Sequence, residues 1–130
     1  MTQEEKELLL KDLCGRMPYG VKIAKRQYNY CNSLTLTGIV GDRCYFNDNP
    51  RYDGDCPIDE IKPYLLPISS MTKEEQRTLD SMCNGVEMVS RLSGLKMFGK
   101  AFNWLDENHF DYRGLIEKGL AIDATGKKIY

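Results

Sequence analysis

Strict alternation over Leu34–Val40 limits what this chain can become more than any other feature. Leu34, Leu36, Gly38 and Val40 fall on one side of an extended run, and Thr35, Thr37 and Ile39 on the other. β-Branched residues fill the run, as a half-buried pleated strand requires. Gly41-Asp42 follows and suits a two-residue hairpin, with glycine at the position that demands positive φ. Arg43–Asn47 then returns as a partner strand, with Cys44 and Phe46 on one face. A similar run begins at Tyr19, where Val21, Ile23 and Lys25 share one face and Lys22, Ala24 and Arg26 the other. The three strands make an antiparallel meander. Its inner face is expected to hold Val21, Ile23, Leu34, Leu36, Val40, Cys44 and Phe46, leaving Thr35 and Thr37 in solvent. A one-residue slip would reverse every one of these assignments.

Helical signals flank the meander. Thr2-Gln3-Glu4-Glu5 has the pattern of a capping box. Beyond it Leu9, Leu10, Leu13 and Cys14 lie on one side of a helix, opposite Lys6, Glu7, Lys11 and Asp12, and Gly15 is read as a left-handed stop. Thr72-Lys73-Glu74-Glu75 repeats the box before a helix whose apolar stripe is Leu79, Met82 and Cys83. Asn84-Gly85 is read as its stop, with Val86, Val89 and Leu92 able to resume a helix. Gly94 and Gly99 flank a further break before a short helix over Ala101–Asn108, where Phe98, Ala101, Phe102 and Leu105 share a stripe bordered by Trp104. Asp48–Pro57 is a polar loop. Ile58, Ile61 and Leu65 suggest a short helical turn, kept short by Pro63 and Pro67. Phe110–Tyr130 reads as loop with one short strand, folded back so that Phe110 and Leu115 enter the core and Arg113 meets a carboxylate or backbone carbonyl. The expectation is one α+β domain over residues 1–130: a small antiparallel β-meander or partly open barrel, packed with an N-terminal helix and two or three further helices.

Charge and cysteine usage narrow the function. Eighteen Lys and Arg against nineteen Asp and Glu leave a net charge of -1, unlike the strongly basic balance of a dedicated duplex binder. The acidic start lacks the basic and apolar segments of a secretory signal, and no run approaches the ~20 apolar residues of a membrane span. These features point to the cytoplasm and away from membranes. Cys14, Cys31, Cys44, Cys56 and Cys83 include no C-x-x-C pair, so neither a zinc site nor a disulfide is expected, and the thiols read as mostly buried apolar groups. His109 is the only histidine, and a Cys–His nucleophile would need it beside one of those thiols.

Three segments carry possible chemistry. Taking Asn49 as position one of a calcium loop puts Gly54 at six and Glu60 at twelve, but Arg51 then occupies a ligand position and defeats the site. Lys22, Lys25, Arg26, Gln27, Tyr28 and Tyr30 interleave cations with aromatics, as a strip that tracks phosphates and stacks bases would. An exposed hairpin rim explains the strip equally well, and Asp48, Asp53, Asp55, Asp59 and Glu60 follow closely enough to weaken its field. His109, Asp111, Tyr112 and Arg113 place an imidazole, a carboxylate, a phenol and a guanidinium within five residues, a set able to do acid–base work or bind a partner. The same side chains can instead lock the tail through local hydrogen bonds. Phosphate-loop, dinucleotide, zinc-protease and nucleophile-elbow motifs are all missing from the sequence.

Some stretches are familiar as strings. Leu8 to Val21 (LLLKDLCGRMPYGV), Glu60 to Leu65 (EIKPYL), Ser69-Ser70-Met71-Thr72, His109 to Ile116 (HFDYRGLI) and Gly119-Leu120-Ala121 resemble a set of short proteins of unknown function from the genomes, prophages and mobile elements of gut Bacteroidales. That set often has arginine after the position of Leu65, where this chain has Leu66. The resemblance implies a phage or mobile-element origin and no activity. With no convergent catalytic set, the sequence reads as a small non-enzymatic protein-interaction module without cofactor or metal, binding through His109, Asp111, Tyr112 and Arg113. A single-stranded nucleic-acid-binding protein using Lys22, Lys25, Arg26, Tyr28 and Tyr30 is the alternative, and an enzyme without a short motif comes third.

Overall fold

Both capping boxes form in the computed structural model, which describes residues 1–30, 33–46, 55–83 and 91–130, with side chains at all of these except 28, 55, 83 and 91–98. The Glu5 N–H donates to Thr2 Oγ1 at 3.1 Å while the Thr2 N–H donates to the Glu5 carboxylate, which starts α1 (Gln3–Arg16). Thr72 and Glu75 reproduce the exchange and start α2 (Lys73–Cys83). The third helix, α3, runs Arg91–Glu107.

The strands are β1 (Lys22–Lys25), β2 (Leu34–Val40), β3 (Arg43–Phe46), β4 (Asp55–Pro57), β5 (Ile61–Pro67), β6 (Phe110–Asp111) and β7 (Ile122–Asp123). They form one open sheet in the order β4-β3-β2-β1-β5-β6, with β7 also paired to β5. The β1–β5 pairings are antiparallel, whereas β6 and β7 run parallel to β5. Consecutive residues of a strand present their peptide groups to opposite edges. Leu66 N–H donates to His109 O and Ala124 N–H donates to Leu65 O, so β6 and β7 lie on opposite edges of β5.

Two clusters cover the two faces. Leu9 and Leu13 of α1 pack with Val21, Ile23, Leu36, Cys44, Phe46, Ile58, Ile61, Leu65, Leu115 and Leu120 on one side. Ala24, Tyr64 and Ala124 pack with Tyr30, Leu66, Ile122 and Ile129 on the other. The α+β expectation holds, with an open sheet rather than a barrel.

Several local expectations are corrected. Residues 61–67 are not a helical turn: only Ile58–Glu60 forms a 3-10 turn, and β5 follows as an inner strand of the sheet. Both faces of β5 are covered, so its sequence IKPYLLP shows no alternation, and Pro63 simply brings no N–H to the ladder. Gly15 lies inside α1 rather than stopping it; the left-handed residue is Gly20, at φ 72° after the 3-10 turn Met17–Tyr19. Gly94 and Gly99 lie within α3, which begins ten residues before the expected start at Ala101. Cys14 is exposed, whereas Asp12 and Arg16 are fully buried. Phe102 stands out in solvent while Ala101 and Leu105 face inward, with Trp104 half-buried. The tail contains two short strands where one was expected.

Val40 is the correction with the clearest cause. The register passes from Leu36↔Phe46 to Gly38↔Tyr45, so Thr37 is an extra residue and the strand carries a bulge. Parity changes there. Ile39 pairs with Cys44 and packs on the core, while Val40 is 68% exposed. Leu36, Cys44 and Phe46 face inward and Thr37 outward as expected, Leu34 and Thr35 are half-buried, and Gly41 turns the hairpin at φ 62°. The expectations for Asn49–Gly54, for Cys31 and for the stop at Asn84-Gly85 lie outside the described residues, as do the side chains of Cys83, Leu92 and Phe98.

Candidate functional site

The end of α3 delivers the His109–Arg113 segment to the edge of the sheet. Asn108 closes the helix, with both its N–H and its side-chain amide donating to Trp104 O. His109 then turns the chain into β6 at φ 60°, left-handed backbone that a side chain other than glycine seldom adopts. Asp111 accepts from the N–H of Leu115 at 3.0 Å and of Ile116 at 2.9 Å, which folds the next turn against β6. Phe110 and Leu115 are thereby buried in the core, with the Phe110 ring stacked on Trp104.

Beneath this turn lies a buried ion network. Arg16 Nε donates to Asp12 Oδ2 at 2.9 Å, and its other nitrogens donate to Leu105 O and Phe110 O. Arg113 Nη1 donates to Asp12 Oδ1 at 2.8 Å. Tyr112 OH donates to Asp106 Oδ1 at 2.9 Å, and that oxygen stands 3.8 Å from Arg113 Nη1 and 4.0 Å from Arg16 Nε. Two cations and two anions are thus balanced. The Arg113 guanidinium also lies over the Tyr112 ring, 4.5 Å from its centroid. Burial, followed by the bond to Asp106, pushes the Tyr112 phenol up to about 12, so it stays a proton donor to that carboxylate.

His109 faces elsewhere. Its ring stacks on Tyr130 with centroids 3.9 Å apart, and burial, with the Arg16 charge behind it, pulls its pKa down to about 4. A hydrogen bond with the Tyr19 backbone opposes this, while Nδ1 is buried without a hydrogen-bond partner among the described residues. The four side chains therefore do not converge on one reacting point. Tyr112 and Arg113 meet the network, Asp111 holds backbone amides and His109 holds Tyr130. Sequence reasoning missed Asp12, Arg16, Asp106 and Tyr130. The available signal was the i, i+4 pairing of Asp12 with Arg16 beside Leu9 and Leu13, which puts both charges on the buried side of α1.

The cation–aromatic strip is not gathered on one face. Lys22 Nζ donates to Thr35 Oγ1, and buried Lys25 lies 5.0 Å from the centroid of the Phe46 ring. Arg26 and Gln27 are exposed at a 3-10 turn, Tyr30 is half-buried under Lys62, and the Tyr28 side chain lies outside the described residues. β1 itself is sandwiched between β2 and β5, so it offers no free edge. Among the described residues no three His, Cys, Asp or Glu are arranged to hold a metal ion. No helix of the described residues is long and apolar enough to cross a membrane.

Beside the network, a cleft of about 460 Å³ separates Pro67, Ile68 and Ser69 from Tyr112, Ile116 and Glu117. Phe102 extends its apolar rim, with its ring 5.3 Å from that of Tyr112 and the residue 48% exposed. Neither the family models, the curated proteins nor the solved structures contain a match to this chain.

Proposed function

We propose that the chain is a small non-enzymatic protein-interaction module acting in the cytoplasm, with the Ile68–Ile116 cleft as its contact surface. One observation carries the reading. Asp111, Tyr112 and Arg113 are spent on internal bonds, whereas Ile68 and Phe102 remain in solvent at the rim of the cleft. Exposed apolar side chains flanking a cleft suit a partner that inserts one or two apolar side chains. Glu117 at the rim favours a basic residue next to that anchor.

This revises the residue assignment: Asp111 and Tyr112 line the surface, Arg113 braces the Tyr112 ring from behind, and His109 takes no part. The proposed origin in a phage or mobile element rests on the resemblance of the opening, middle and HFDYRGLI segments alone. Single-stranded nucleic-acid binding has weaker support, because Lys22 and Lys25 are engaged within the fold.

The test is capture from an extract of the encoding cells by wild-type chain, by Ile68→Glu and by Phe102→Glu. The reading requires a discrete protein retained by the wild type and lost by both variants at unchanged melting temperature. Equal retention by all three would sink it, as would catalytic turnover by the wild type that disappears in His109→Asn.

A further inference from the structure

Tyr130 reaches a place that the β ladder leaves open. β1 pairs with β5 through Ile23↔Pro63, so the next positions in register are Lys22 and Tyr64. The Tyr130 hydroxyl sits between them, accepting from the Lys22 N–H at 2.9 Å and donating to Tyr64 O at 2.8 Å. The same edge of β5 passes to β6 two residues on, where Leu66 N–H donates to His109 O. The phenol therefore fills the gap between β1 and β6 along one edge of β5. Both of its hydrogen-bonding roles are met by backbone groups, whose positions the sheet fixes.

The rest of the seat is equally specific. The floor is the His109 imidazole, parallel to the phenol ring within 13°. His109 is held there at positive φ and by its bond with the Tyr19 backbone. A strained residue with a buried, unpartnered nitrogen is a sign that the local arrangement is kept for something other than stability. The occupant arrives along a mostly exposed segment. Tyr130 is 50% exposed although its hydroxyl is enclosed, and residues 125–128 before it are exposed. Lys127 contacts the Tyr64 ring at 5.8 Å and its N–H closes a turn on Ala124 O, and Ile129 is partly buried.

We propose that this seat is a binding site for the phenol of a tyrosine side chain, filled here by Tyr130 acting as a strap, and that a tyrosine presented by a partner protein takes the seat when the strap lifts. The His109 face orients the ring, and the Lys22 N–H and Tyr64 C=O read the hydroxyl as acceptor and donor together. A phenylalanine satisfies only the ring. The site shares no residue with the Ile68–Ile116 cleft, so either can fail without the other.

The test uses Tyr130→Ala with p-cresol and toluene as probes, followed by calorimetry and thermal melting. p-Cresol should bind the variant saturably and raise its melting temperature, and should leave the wild type unmoved because its seat is full. Toluene should bind roughly tenfold more weakly or worse, since it forfeits two hydrogen bonds. Equal effects on variant and wild type, or equal affinity for the two probes, would overturn the site. If Tyr130→Ala does not fold alone, p-cresol should restore its folding, and toluene should not.

Tyr130→Phe gives a second reading on a chain that keeps the ring. Its Lys22 amide should exchange with solvent faster than in the wild type, since the ring without a hydroxyl cannot accept from it; unchanged exchange contradicts the reading of the hydroxyl. The peptide Gly-Lys-Lys-Ile-Tyr, added in trans to Tyr130→Ala, tests the source of the phenol. Binding tighter than p-cresol supports a tyrosine on a protein segment, and no peptide binding contradicts the partner half of the proposal.

Discussion

Arg113 donates to Asp12 across 101 residues of sequence, and the bond joins the tail to the first helix. Asp12 is fully buried and also holds the fully buried Arg16. Removing Asp12 strands a cation inside the protein, whereas removing Arg113 leaves Asp12 still paired. Asp12→Ala should therefore cost about 3–5 kcal/mol in urea unfolding. Arg113→Ala, whose side chain is partly solvated, should cost about 1–2 kcal/mol. Equal losses would mean that the two ion pairs do not share Asp12 as described.

Gly15 and Gly99 are both helical, and alanine should act on them in opposite directions. A Cβ on Gly15 would stand 2.9 Å from Asp106 Oδ2, and that carboxylate cannot swing away without loosening the Tyr112 hydrogen bond. A Cβ on Gly99 meets nothing within 4 Å among the described residues. Gly99→Ala should stabilise the protein by about 0.5–1 kcal/mol through helix propensity. Gly15→Ala should destabilise it by about 1–2 kcal/mol, as overpacking does. Paired thermal melts of the two variants decide the matter.

These contrasts also mark the limit of sequence reading. Capping boxes and the Gly41 hairpin were legible because each depends on residues within four positions of one another. β5 was not, because a strand covered on both faces loses the period-two signal, and Pro63 and Pro67 argued against regular structure. The candidate site was half legible. The composition of residues 109–113 announced hydrogen-bonding work, and Arg113 did find a carboxylate. Its partners on α1 and α3, and the Tyr130 ring, are brought in only by tertiary folding.

Acid should weaken the fold through His109. Its pKa falls from an ordinary 6.5 to about 4 on folding, so between those values the unfolded chain binds more protons. Stability due to this group is complete above pH 6.5, declines as pH drops toward 4 and then levels. The loss should be about 1–3 kcal/mol, the lower end allowing for screening on the open side of Tyr130. His109→Asn tolerates the left-handed backbone and removes the titration. Urea melts from pH 4 to 7.5 should show a smaller slope in the variant; identical slopes would refute the burial of a neutral imidazole.

Thiol chemistry should separate the cysteines by burial. Cys44 and Cys56 oppose each other on β3 and β4, and burial pushes them up to about 12 and about 11. Little thiolate exists on either at pH 8, and the solvent cannot reach them. Cys14 is exposed on α1. Maleimide labelling of the native chain followed by peptide mass analysis should find Cys14 modified before Cys44 and Cys56, which react only after denaturant is added. Native labelling of Cys44 at the rate of Cys14 would contradict the packing of the β3–β4 edge.

The bulge at Thr37 makes a prediction that the uninterrupted alternation would reverse. With even parity throughout β2, Val40 would be a core residue and Ile39 a surface one. The observed register gives the opposite, because two residues of β2 pass where β3 advances by one. Ile39 then meets Cys44 over the core, and Val40 stands beside Arg43 in solvent. Threonine keeps the β-branched shape while replacing a methyl by a hydroxyl, so it measures facing rather than strand propensity. Val40→Thr should change stability by less than about 0.5 kcal/mol, as exposed substitutions do. Ile39→Thr should cost about 1–2 kcal/mol for burying a hydroxyl and losing a methylene. Deleting Thr37 should remove the bulge and leave Ile39 opposite Cys44 and Val40 opposite Arg43, at the expense of the hydroxyl bond from Thr37 to Tyr45 O at 3.1 Å. In that deletion the order of costs should therefore stay the same, with Ile39→Thr still the damaging change. Four denaturation curves, two in each background, therefore test the bulge directly, and an exchange of the costs after the deletion would show that Thr37 is not the extra residue of β2.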